Sequence, residues 1–166
     1  MNDQQQFIAL YESAFPANER RPTAQELALD DPRFEIRTIR HEGNFAGFIT
    51  LWHFADFVYV EHFATLPELR GHGLGSRTLQ TLRHESPKPI VLEVELPDND
   101  TARRRIAFYK RIGFVEMPQT YRQPPYTPEN DGLPLRIMTT TNDTSDRFFD
   151  TIKSTLYREV YKFSEE

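Results

Sequence analysis

The chain contains no cysteine. That excludes a disulfide framework, a thiolate nucleophile and a cysteine-based zinc site, and it fits a reducing compartment. Long apolar runs are also missing: nowhere do about 18 apolar residues follow one another. The first residues, "MNDQQQFIALYESAF", carry neither a basic n-region nor an apolar h-region. These absences lead us to expect a cytoplasmic protein with no membrane partner. An overall positive field is lacking too, since the formal net charge is −5. Binding to a phosphate backbone needs the opposite sign, so nucleic acid is not expected as a partner. The five histidines form no H-x-H or H-E-x-x-H pattern, so no metal is expected.

What is present is aromatic: 13 Phe and 7 Tyr in 166 residues, enough to pack an interior and to line a site. That length suits one domain, 1–166, rather than two. The element order is read from hydrophobic period. Phe7, Leu10, Tyr11 and Ala14 recur at helical spacing until Pro16 intervenes. Thr23 followed by Glu26 has the form of a capping box opening a second short helix. "FEIRTIR", "NFAGFITLW" and "FVYVEHFAT" then read as three antiparallel strands, with "HEGN" as the first hairpin turn.

Beyond the third strand the order is helix, strand, helix. Leu74, Thr78 and Leu82 share a helix face, "PIVLEVEL" is a β run, and "TARRRIAFYKRIG" is helical with Gly113 as its stop. "FVEM" and "LPLRIMTT" are strand candidates around the loop "YRQPPYTPENDG", and "SDRFFDTIKSTLYREVYKF" is a closing amphipathic helix. The fold class is α/β (α+β), a central mixed sheet, mostly antiparallel, flanked by helices. The basic run Arg103, Arg104, Arg105, Lys110 and Arg111 reads first as a solvated helix face, and second as the neighbour of a polyphosphate.

The informative stretch is "HFATLPELRGHGLGS". Glycines at 71, 73 and 75 let backbone N–H groups approach an anion with no Cβ in the way, and the helix behind them adds a partial positive charge. The spacing is neither the dinucleotide fingerprint nor a P-loop. "RGHGLG", preceded by "HFATLPEL" and followed by a helix, resembles the acetyl-CoA signature of the GNAT-type N-acetyltransferases. "ARRRIAFYKRIGF" is similar to that family's second motif through Phe108, Tyr109, Gly113 and Phe114.

The resemblance implies a GNAT fold, acetyl-CoA as co-substrate and a small-molecule or peptide amine as acceptor, in a monomer or homodimer. It implies that Phe63, Ala64 and Thr65 support the cofactor and its thioester carbonyl by backbone amides. Arg70, Gly71, His72, Gly73, Leu74, Gly75 and Ser76 would hold its diphosphate. Where family members often carry Asn and Ala, this chain has Ala102 and Arg105. Asn99, one turn earlier, is the substitute for the pantetheine contact.

Acetyl transfer to an amine needs a base for the ammonium proton, an oxyanion stabiliser and an acid for the departing thiolate. Tyr109 is the expected acid. Glu61, among Phe57, Tyr59 and Phe63, is the expected base, because desolvation raises a carboxylate toward the useful range. His62 has the better intrinsic pKa, but strand alternation puts it on the opposite face; Glu93, which shares a strand face with Glu95, is the reserve. Trp52, Phe54, Phe57 and Tyr59 divide between core and acceptor site. Glu19, Arg20 and Arg21 border an acceptor or are surface charge. The competing class is a non-catalytic acyl-CoA-binding module.

Overall fold

The computed structural model describes residues 1–165. By contact the chain falls into two compact units, Met1–Lys88 and Pro89–Glu166. The first contains α1 (Asp3–Ala14), α2 (Thr23–Leu27), β1 (Phe34–His41), β2 (Asn44–His53), β3 (Val58–Thr65) and α3 (Leu74–Glu85). The second contains β4 (Ile90–Glu95), α4 (Asp100–Ile112), β5 (Val115–Glu116), β6 (Tyr121–Gln123), β7 (Leu133–Thr139) and α5 (Asp146–Thr155), which runs into a π-helical turn, Leu156–Val160.

Helix α1 begins on a reciprocal cap: the Asn2 side chain accepts from Gln5 N, and the Gln5 side chain accepts from Asn2 N. Its apolar stripe, Phe7, Leu10 and Tyr11, is buried with Phe45 and Phe48. The rings of Phe7 and Phe48 meet edge-on at 4.6 Å. Strands β1 and β2 are joined by a tight turn in which Glu42 and Gly43 take φ of 52° and 80°, the two left-handed residues that a type I′ hairpin requires. β3 pairs antiparallel with β2, and a register shift between Thr50 and Leu51 leaves Glu61 as the extra residue of a bulge. In the second unit β7 is central, pairing antiparallel with β4, β5 and β6.

Three expectations need correction. Thr23 does not cap α2: Pro22 occupies that position, and the Thr23 hydroxyl donates to Glu12 Oε2 at 2.5 Å. Residues 121–123, read as loop, form β6, because Tyr121 is an aromatic anchor 2% exposed and the prolines begin only at Pro124. The closing helix is not uniformly α-helical, since Tyr161 N donates to Leu156 O, five residues back. On α3 the buried set is Leu74, Leu79 and Leu82, while Thr78 turns its hydroxyl onto Leu74 O at 2.7 Å. No helix among the described residues is long and apolar enough to cross a membrane.

Candidate active site

The glycine turn follows β3 after one short 3-10 turn, Pro67–Leu69. Gly71 and Gly73 have φ of 86° and 74°, so both need the left-handed region that glycine enters freely. A Cβ built at Gly71 meets nothing within 4 Å among the described residues. The backbone there faces open space. Gly73 is the N-cap of α3, and no described side chain caps that helix. Its first-turn N–H groups, from Leu74, Gly75 and Ser76, are therefore left for an external acceptor. Arg70 and His72 are exposed beside them. The His72 ring is steadied by Nδ1 at 2.9 Å from Leu69 O, and Arg77 Nη2 donates to His72 O at 3.4 Å. An exposed arginine, bare glycine backbone and an uncapped twelve-residue helix suit a diphosphate.

The strand end before the turn is fixed by close backbone approach. Gly47 pairs with Thr65, and a Cβ on Gly47 would lie 2.2 Å from Ala64 O. Any larger residue there would displace the strand at Phe63, Ala64 and Thr65. Phe63 packs with Ile39, Ala46, Leu69 and Leu74, whereas Ala64 packs on the α1 cluster, so the two alternate as a strand requires. The amide of Leu66 is committed to Ala46 O at 2.8 Å.

Further back on β3 the bulge overrides alternation. Glu61 and His62, expected on opposite faces, both reach the 19–26 segment. Glu61 accepts from Trp52 Nε1 at 2.7 Å and from Arg21 Nη2 at 3.0 Å, and its side chain is fully buried. Arg21 also binds Glu26 through Nη1. His62 lies edge-on to Phe15 and Tyr11, with Nε2 3.2 Å from Glu19 O. Burial holds its pKa below the ordinary histidine value, against the pull of Glu61. Burial also pushes the Glu26 carboxyl up, to about 7, and the charge of Glu61 adds to this against Arg21. Arg21, read as border or surface charge, is 7% exposed and ties two carboxylates together. Trp52, Phe54, Phe57 and Tyr59 are all buried, so none is an exposed acceptor wall.

In the second unit Tyr109 is half-buried on α4, edge-on to Phe108 and Phe114. Burial raises its pKa, Arg105 lowers it and Glu95 raises it again, so the hydroxyl stays protonated through neutral pH. Asn99 is the N-cap of α4: its Oδ1 accepts from Ala102 N at 2.8 Å, so that oxygen is spent on the helix. Glu95 is exposed and pairs with Arg105, Arg103 with Asp100, and Lys110 with Glu116. The basic run is in large part a surface ion-pair ladder. Glu93 differs from Glu95: its carboxylate accepts from Tyr121 Oη at 2.5 Å, Tyr161 Oη at 2.7 Å and Gln123 Nε2 at 2.8 Å. Sequence reasoning gave Glu93 none of these partners, because Tyr121 and Gln123 come from the proline-rich segment and Tyr161 from the closing helix. No group of three possible metal-ligating side chains occurs among the described residues.

The chain resembles known proteins along nearly its whole length. The profile of the acetyltransferase (GNAT) family matches residues 4–114. "Putative acetyltransferase YjbC" of Bacillus subtilis (strain 168) is 26% identical over 157 residues, which cover 92% of this chain and 79% of that one. A solved structure from Bacteroides thetaiotaomicron, "Putative acetyltransferase from GNAT family", superposes with a TM-score of 0.90 at 38% identity, covering 96% of this chain and 92% of that one. An aminoglycoside 6'-N-acetyltransferase solved with coenzyme A shares the fold at TM-score 0.57 and 13% identity, over 82% and 88% of the two chains. With its glycine turn and second motif inside a profile match that spans well over half of the sequence, the chain belongs to the GNAT family of acetyltransferases.

Proposed function

We propose that the protein, acting as one domain over residues 1–166, transfers the acetyl group of acetyl-CoA to a primary amine by direct attack. The observation that carries the cofactor half of this reading is the pair of left-handed glycines leading into the uncapped α3. Acetyl-CoA would supply an activated thioester. Arg70 and the amides of residues 71–76 would hold its diphosphate. Since the Leu66 amide is committed, the donor to the thioester carbonyl is sought among the amides of residues 63–65.

Tyr109 serves as acid: burial keeps its proton in place at neutral pH until a thiolate develops beside it. Glu61 serves as base, and because its side chain is fully buried the ammonium proton reaches it through water. Glu93 is the second candidate, favoured by its partial exposure and by the three donors that fix its orientation. An acidic chain with buried carboxylates favours cationic acceptors over neutral ones.

The test is release of free CoA from acetyl-CoA with a panel of polyamines, aminoglycosides, amino acids, peptide N-termini and hydroxyl compounds. Turnover with primary amines supports the proposal, and turnover with hydroxyl compounds alone would replace it by O-acetylation. Saturable CoA binding with no turnover across the panel would favour a non-catalytic acyl-CoA-binding module.

A further inference from the structure

Arg21, between α1 and α2, Glu26 on α2 and Glu61 on β3 together bury more charge than a helix connection needs. Arg21 is 7% exposed and Glu26 1%, and the Glu61 side chain has no exposure. Arg21 is shared by both carboxylates, one on each terminal nitrogen. With both ionised, this triad carries one net negative charge where little water can screen it. Glu26 Oε2 is buried and has no hydrogen-bond partner among the described residues. A bare carboxylate oxygen in that setting is a place for a proton.

We propose that Glu26 is a positioning residue of the transfer reaction: Glu26 and Glu61 hold one exchangeable proton between them across Arg21, and the triad must lose it before Glu61 accepts the proton of the acceptor ammonium. This rests on the reading of Glu61 as base. The step balances. An N–H bond of the ammonium breaks, an O–H bond forms on the Glu61 carboxylate through water, and the triad passes from one negative charge to neutral. The proton then returns to solvent before the next turnover.

The repulsion between the two carboxylates is mutual, so their titration belongs to the pair. Burial and the charge of Glu61 place Glu26 in the neutral range. The other groups facing the pair do not titrate there. From α1, Tyr11 donates to Arg21 O at 2.8 Å and is held protonated by burial and by both glutamates. From β3, His62 is kept below its ordinary range by burial. From the connecting segment, Arg20 and Arg21 contribute their guanidinium groups.

Trp52, the one tryptophan of the chain, donates to Glu61 and reports on the triad optically. Its fluorescence is followed from pH 5 to 9 in the unliganded wild type, Glu26→Gln and Glu61→Gln, together with kcat/KM for acetyl-CoA with spermidine or another amine that the panel shows to be acetylated. The wild type should show a one-proton transition in the neutral range that Glu26→Gln abolishes. The acidic limb of kcat/KM should move down by about one pH unit or more in Glu26→Gln. The 13C shift of the Glu26 carboxyl in wild-type protein gives the same titration without any substitution. A transition retained unchanged in Glu26→Gln, or a Glu26 carboxyl ionised throughout, overturns the shared proton. A transition lost in Glu26→Gln, with wild-type pH dependence of kcat/KM in both variants, overturns its part in catalysis and the assignment of Glu61 as base. A lost acidic limb in Glu61→Gln beside an unmoved one in Glu26→Gln keeps the base and overturns the role of Glu26.

Discussion

Tyr109 is the residue whose proposed role is simplest to isolate. Phenylalanine has nearly its shape, so Tyr109→Phe should keep the ring contacts with Phe108 and Phe114 and remove only the proton. Turnover should fall by roughly 10²–10⁴ with little change in CoA affinity, measured by steady-state kinetics and calorimetry. Equal turnover would reduce Tyr109 to packing. Gly73 tests the proposed diphosphate turn. Valine at φ 74° costs about 1–2 kcal/mol in backbone strain and puts branched methyls where an anion needs bare N–H groups. CoA affinity in Gly73→Val should fall at least about tenfold while the circular dichroism of the fold persists. Both residues were legible in the sequence because each sits in a local motif. Arg21 was not: its bond to Glu61 spans 40 positions, and no period or spacing encodes a partner that far away.

The elements show where local rules failed and why. Alternation assigned Glu61 and His62 to opposite faces, and one bulge residue in β3 brought both to the same connecting segment. The pattern of Thr23 and Glu26 suggested a cap, but Glu26 is buried on Arg21, so a buried ion pair outweighed a capping hydrogen bond worth about 1 kcal/mol. This triad should hold α2 and the segment before it. Removing the shared cation leaves two buried carboxylates repelling each other. Arg21→Met should therefore destabilise the protein by about 3–5 kcal/mol at pH 8, read from urea unfolding. The loss should be smaller at pH 5, where Glu26 takes up a proton. A loss that does not vary with pH would mean that packing of the arginine stem, not charge, is what matters.

At the scale of the molecule, hydrophobic period gave the order of most helices and strands, with β6 read as loop, and the GNAT fold was read from the resemblance of two local motifs. What could not be read is the set of contacts that bring late residues back to early ones, such as Tyr161 onto Glu93. One global property follows from Glu26. Its pKa is raised on folding, from the ordinary 4.5 to about 7, so its contribution to stability is fully present below about pH 4.5 and is lost as pH rises through about 7. Glu26→Gln and wild type should therefore melt alike near pH 5. By pH 8 the variant should lead, by roughly 2–4 °C for each kcal/mol involved. Tm values that stay parallel across that range would contradict a titrating Glu26. The tie between Glu93 and Tyr161 also sets a clock on the ribosome. The two residues are 68 positions apart, and at about 5–20 residues per second Glu93 waits roughly 3–14 s after its own synthesis before its last hydroxyl partner exists. A nascent chain halted before Tyr161 would have its glycine turn and the Tyr121 and Gln123 donors to Glu93, but not the third donor that completes them.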